Sequence, residues 1–213
     1  MNAIAPRLTT HGAGVRAQPC LVWRFDAPQR CIASAPVGGG SGTARWVINA
    51  QVDTDYRRTD LDAHIAAIAA DCDCAGRGLG LLTAARVGAW QRGADEGAVA
   101  DATVGVSWPI WAAAPPVPAT GATRPGTINI VVQVPVCLSA AALVGAVITV
   151  TEAKTQALLE AGVPGTGTAS DAVCILCPQL GPAEAFAGPR APWGARIARA
   201  VHSAVRAGLE AKP

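Results

Sequence analysis

Aromatic and charged residues are both scarce in this sequence. It holds two Phe, one Tyr and six Trp among 213 residues, with a single Met. Charged residues make up 15%, and the formal net charge is +2. The 17 Lys and Arg form no long run, so nothing marks a face for nucleic acid and no such partner is expected. A disordered chain would need low hydrophobicity and strong charge, whereas 51% of these residues are apolar.

Long apolar runs are missing too. The longest candidate, residues 140–150, runs into Glu152 and Lys154. It stops short of the roughly 18 residues of a membrane span, so no membrane partner is expected. Residues 1–15 lack a continuous apolar stretch and a cleavage pattern, so no secretory signal is expected. The seven cysteines are odd in number and mostly sit in apolar runs. Reduced thiols in a cytoplasmic protein fit that better than a disulfide framework. Cys174 and Cys177 have metal-like spacing, but on a strand their side chains take opposite faces, so no metal site is expected. There is no G-x-S-x-G elbow, Walker loop or dinucleotide fingerprint.

The elements that remain describe one layered domain. Residues 1–18 are expected to be flexible or peripheral, and 19–209 to form the domain. Residues 20–25 and 30–35 read as two strands of a hairpin about the turn Asp26-Ala27-Pro28. In residues 46–52, Trp46, Ile48, Ala50 and Val52 share one face and Asn49 takes the other. Asp60 is placed to cap a helix to about Ala70. Residues 79–84 read as an apolar strand, residues 88–102 are ambiguous, 103–108 are strand-like, and 109–125 read as a Pro-rich surface loop.

The second half is clearer. Ile128, Ile130, Val132 and Val134 alternate with Asn129, Val131 and Gln133. Ser139 caps a helix to about Ala161, stopped by Gly162 and Pro164. Residues 172–177 are a wholly apolar, central strand, and 195–209 an amphipathic helix with Ile197, Val201, Ala204 and Val205 inward. Strands mixed with three helices predict an α/β or α+β fold, with mixed β-sheet covered by helices.

The chemistry-bearing residues gather at junctions of these elements. Glu152 and Lys154 are two apart, about 200° around a helix, so they cannot share a face. One of them points to the site and the other is a surface charge. Asp171 directly precedes a buried strand, where a carboxylate is a cap or a functional group. His64, beside Asp60 and Asp62, is the best histidine for acid–base work. Gly38-Gly39-Gly40 and the glycines at 126, 165 and 167 permit tight turns or close ligand approach.

In order, the chain carries Ser34-Ala35-Pro36-Val37-Gly38-Gly39-Gly40, Ile48-Asn49-Ala50-Gln51-Val52, then Tyr56, Asp60 and His64. Gly80-Leu81-Leu82-Thr83 and Val104-Gly105-Val106-Ser107 follow. The most specific motifs come last: Gly126-Thr127-Ile128-Asn129-Ile130, Thr151-Glu152-Ala153-Lys154-Thr155 and Thr166-Gly167-Thr168-Ala169-Ser170-Asp171. From about Ser34 to Gly208 this order resembles the adenosylcobinamide amidohydrolase family of corrinoid salvage. The resemblance implies hydrolysis of the amide joining aminopropanol to the corrin ring, giving adenosylcobyric acid and 1-amino-2-propanol. Cobalt would belong to the corrinoid substrate, with no protein-held cofactor.

By the same resemblance, Glu152, Lys154 and Asp171 are the expected catalytic residues. Glu152 or Asp171 would activate water, and Lys154 or Asn129 would stabilise the oxyanion. Gly39, Gly40, Asn49, His64, Thr83, Thr127, Asn129, Thr166, Thr168 and Ser170 are expected to bind substrate. Trp46, Trp108 or Trp111 would offer apolar surface to the macrocycle. The family favours Gly-Thr-Asp where this chain has Ala169-Ser170-Asp171. That departure leaves a non-catalytic corrinoid-binding protein as the alternative. The Gly-Thr strand, helix and Asp-led strand also resemble enzymes that cut themselves to expose a nucleophilic Thr or Ser, which implies a four-layer αββα core.

Overall fold

The computed structural model describes residues 3–12, 14, 17–115 and 126–211. Its strands are β1 (Arg7–His11), β2 (Gln18–Ala33), β3 (Gly40–Gln51), β4 (Gly78–Thr83), β5 (Gln91–Asp95), β6 (Ala98–Gly105), β7 (Thr127–Gln133), β8 (Cys137–Leu138), β9 (Ala172–Cys177) and β10 (Ala183–Glu184). The α-helices are α1 (Leu61–Asp71), α2 (Ala140–Glu160) and α3 (Pro192–Glu210). One mixed sheet runs β4-β3-β2-β9-β7-β6-β5, with β1 added on β2, and β8 pairs with β10 apart from it.

The sheet doubles over on itself. In sheet order β3 and β7 lie three places apart. Strands about 4.8 Å apart would put them roughly 14 Å from each other if the sheet were flat. Yet Asn129 Nδ2 on β7 donates to Asn49 Oδ1 on β3 at 2.9 Å, and Asn49 Nδ2 donates to Thr103 Oγ1 on β6 at 3.0 Å. Trp23 Nε1 on β2 likewise reaches Asp101 Oδ2 on β6 at 3.0 Å. The halves β4-β3-β2 and β9-β7-β6-β5 therefore face each other. Leu21, Trp23, Val47, Leu79, Leu81, Val131, Cys174 and Leu176 fill the space between them.

Helices close both outer faces. Ile65 and Ile68 of α1 pack on Trp46, Ile48 and Ala50. Helices α2 and α3 cover the other half through Ala146, Val150, Leu158, Ile197 and Val201, over Ile128, Ile130, Val132 and Ile175. The layers run helix, sheet, sheet, helix.

The expected hairpin at the start is instead the single long strand β2. Between Arg24 and Gln29, five residue steps of β2 answer two of β3. Asp26-Ala27-Pro28, which read as a turn, is thus absorbed as a bulge, the place where a sheet tolerates a proline. Beyond it, residues 30–33 pair with β3 on one side and β9 on the other, so β2 joins the two halves. Part of the segment expected to be peripheral, Arg7–His11, pairs antiparallel with β2. The ambiguous stretch is a hairpin of β5 and β6, turned by Glu96 and Gly97 at φ 40° and 93°. Of the expected Pro-rich loop, residues 116–125 lie outside the described residues.

Asp60 occupies the cap position of α1 without a side-chain cap bond. Its carboxylate is held by Arg58 instead, at 2.6 Å and 2.9 Å. Ser139 does cap α2, accepting from Ala142 N at 3.0 Å. By length and composition α2 could cross a membrane, but half of its apolar window is buried by the rest of the fold, as in a core helix. Cys174 belongs to the core between the sheets and Cys177 to the core under α2, on opposite faces of β9.

Candidate active site

At one end of the doubled sheet lies a cleft of about 970 Å³. Residues 52–58, which link β3 to α1, form one wall, and Ser34, Pro36, Leu61, Leu81 and Leu82 add to it. Thr83, Thr127, Asn129, Ser170 and Asp171 bring the polar groups. The parallel pair β7 and β9 sets their position. Asn129 is level with Ala172, so the first residues of β7 and the turn before β9 meet at the same end of the sheet.

Asp171 ties these segments together. Its Oδ1 accepts from Ile128 N at 2.9 Å and Thr168 Oγ1 at 2.6 Å. Its Oδ2 accepts from Thr168 N at 3.1 Å and Lys154 Nζ at 2.5 Å. A carboxylate has about four lone-pair directions, so none is left to take a proton from water. The pair is nearly enclosed, with side chains 9% and 12% exposed. Gly167 lies against it: a Cβ there would come within 2.4 Å of Asp171 Oδ2 and 2.6 Å of Lys154 Nζ. That glycine is required for close approach rather than for backbone freedom.

The hydroxyls beside this pair have one consistent set of donors. The Thr168 hydroxyl has two acceptors in reach, Gly126 O at 2.8 Å and Asp171 Oδ1 at 2.6 Å, and the shorter contact, to a charged oxygen, takes its one proton. Ser170 then donates to Gly126 O at 3.2 Å and accepts from Thr127 Oγ1 at 2.9 Å. On the facing layer, Asn129 Nδ2 donates to Asn49 Oδ1 at 2.9 Å and to Leu82 O at 3.2 Å. Those two acceptors fix which end of the amide is which. Asn129 Oδ1 is left buried with no partner. A buried acceptor of this kind costs about 1–3 kcal/mol until a donor reaches it.

The structure therefore brings together Thr83, Thr127, Asn129, Ser170 and Asp171 on the cleft, with Lys154, Thr168 and Asn49 directly behind them. Glu152 does not join them. It is exposed on the outer face of α2, because Ala146, Val150, Ala153, Lys154, Ala157 and Leu158 form the face that packs inward. Glu152→Gln is expected to leave turnover within about twofold of wild type in a steady-state assay, as a surface substitution should.

Gly39 and Gly40 also miss the cleft. A Cβ on Gly39 would meet Ala35 O at 2.3 Å, so the loop is a tight turn packed on its own chain. Thr166 is used structurally, accepting from Ala112 N at 3.0 Å. Trp46 is buried and donates to Gly76 O at 3.1 Å, while Trp108 and Trp111 are exposed on the loop after β6, and none of the three lines the cleft. His64 stands behind the wall, its Nδ1 2.7 Å from the Tyr56 hydroxyl. Burial lowers its pKa, as do Arg58 and His11, against an opposing pull from Asp60. Ser34, Asp53, Asp55 and Tyr56 line the cleft although the sequence reading gave them no role. Tyr56 had a usable signal: it is the single tyrosine, eight residues before the favoured histidine.

The adenosylcobinamide amidohydrolase family matches residues 5–212. The chain belongs to that family. An adenosylcobinamide amidohydrolase of Methanosarcina mazei is 33% identical over 186 residues, covering 83% of this chain and 88% of that protein. One of Halobacterium salinarum is 39% identical over 119 residues, covering 52% and 49%.

The departure from the family's usual motif at Ala169-Ser170 is harmless to the backbone. Among the described residues, positive φ outside glycine occurs at Asp73 and Glu96, so Ala169 sits in ordinary space. The Ser170 hydroxyl still lines the cleft and bonds Thr127. The feature that kept a non-catalytic corrinoid-binding protein as the alternative thereby loses its force.

Proposed function

We propose that this cleft hydrolyses the aminopropanol amide of adenosylcobinamide, giving adenosylcobyric acid and 1-amino-2-propanol for cobinamide salvage. Membership of the amidohydrolase family supports the reaction class and substrate. The observation that carries the site is Asn129, which lines the cleft with Thr127, Ser170 and Thr83 and whose buried Oδ1 has no partner. A secondary amide presents one N–H donor, and a buried acceptor without a partner is the complement it needs. The reaction belongs in the cytoplasm, where the free thiols remain reduced.

The test is incubation of the purified protein with adenosylcobinamide, followed by mass spectrometry of the corrinoid. Loss of aminopropanol with appearance of the cobyric acid is the expected result. Tight binding of the corrinoid without turnover would overturn the hydrolytic reading in favour of a carrier.

A further inference from the structure

We propose that Tyr56 is the proton-transferring residue of this cleft, with His64 as the base that receives and returns its proton. The inference rests on the amide-hydrolysis reading and names the group that moves the proton in it. Such a group must touch the cleft and be bonded to a base. Among the cleft-lining hydroxyls with described partners, Ser34 accepts from Val173 N, Thr83 accepts from Ala85 N, and Thr127 and Ser170 are bonded to each other. None of these touches a base. Tyr56 does, at 2.7 Å from His64 Nδ1.

The geometry around the pair is built rather than incidental. The two rings lie nearly parallel, 22° apart in plane and 5.5 Å between centroids. His64 sits near the start of α1, whose rigid backbone fixes the imidazole while Tyr56 comes from the loop lining the cleft. On the far side His11 presents its ring to His64 at 68° and 6.2 Å between centroids. His11 is itself buried, with Nε2 unpartnered. The charges facing the pair are Arg58 and Asp60, bonded to each other at 2.6 Å, while Asp71 faces His11. Burial, Arg58 and His11 lower the His64 pKa against an opposing pull from Asp60, which favours the neutral ring whose Nδ1 can accept from the phenol.

The proton then travels in a closed cycle. Water gives a proton to the Tyr56 oxygen as the phenol passes its own to His64 Nδ1. The water oxygen forms its bond to the amide carbon, and the carbonyl π pair moves onto oxygen. The oxyanion pair then re-forms the carbonyl as the C–N bond breaks; the C–N pair goes to nitrogen, which takes a proton from Tyr56 while His64 returns one to the phenol. Tyr56 and His64 end as they began, and the new acid ionises in solution.

The experiment compares wild type, Tyr56→Phe and His64→Gln on adenosylcobinamide, with kcat and KM measured across pH. Tyr56→Phe keeps the stacked ring and is expected to lower kcat about 100-fold with KM within about threefold. Wild-type kcat should fall as pH drops through the His64 pKa, which lies below the ordinary 6.5, because imidazolium cannot accept from the phenol. In His64→Gln that acid limb should vanish along with most of the rate. A Tyr56→Phe protein keeping more than about a third of wild-type kcat, far from the loss expected of a proton-transfer group, overturns the relay. So does an unchanged acid limb in His64→Gln. Absence of turnover in wild type overturns the hydrolytic reading itself, and the relay with it.

Discussion

Replacing Asp171 with alanine is expected to destabilise the protein by about 3–5 kcal/mol, read as a lower midpoint in urea unfolding. The substitution strands the buried Lys154 ammonium, whose described partner is that carboxylate at 2.5 Å. It also leaves Ile128 N and Thr168 N without their acceptor. Removing the cation alone is a different experiment. In Lys154→Met the carboxylate keeps Ile128 N, Thr168 N and the Thr168 hydroxyl, so the cost should be nearer 1–3 kcal/mol. The asymmetry separates a structural latch from a catalytic pair. If Lys154→Met proved the more damaging of the two to stability, or if Asp171→Ala melted like wild type, the latch would be wrong.

This latch shows how far the sequence could be read. Locally coded elements were legible: the alternation of β7, the Ser139 cap of α2, the apolar run of β9 and the amphipathic face of α3 each announce themselves within one segment. The 200° between Glu152 and Lys154 also followed from helix geometry alone. Which of the two turned inward did not, because that depends on how α2 rotates against β9 and α3. Packing through Val150, Ala153, Ala157 and Leu158 decides it, and Lys154 lies on that face.

Contacts across the doubled sheet were illegible for a stronger reason. Asn49 and Asn129 are 80 residues apart on strands that are not sheet neighbours. Their meeting depends on the bend in β2, and the sequence at that bend, Asp26-Ala27-Pro28, looks like the end of a strand. A hairpin satisfies the same local pattern, and it is rejected because residues 20–24 and 29–33 both pair with β3 rather than with each other. Tyr56 and His64 were near each other in the chain, but the loop that brings Tyr56 to the cleft wall has no periodic signature. Residues of tight turns behaved in the opposite way. Gly39 and Gly167 read as permitting either a tight turn or close ligand approach, and both are glycine because neighbouring atoms leave no room for a Cβ.

Asn129 is where fold and chemistry are most closely joined, and its replacement should have the largest effect on activity. Asn129→Ala is expected to lower kcat/KM by about 10²–10³-fold, the loss that follows removal of one polar group a site holds for its reacting amide. Two consequences combine. The buried Oδ1 that waits for a donor is gone, and Asn49 Oδ1 and Leu82 O lose the donor that Asn129 Nδ2 supplied. Asn49→Ala separates them, because it leaves the Asn129 carbonyl in place but removes one of the two acceptors that orient it. Its effect on kcat/KM should be smaller, about tenfold, as expected of a group that acts by positioning another. Melting curves for both variants distinguish a lost contact in the cleft from a loosened core. Equal activity losses in the two variants would mean that the asparagine pair works only as a strut between the sheets.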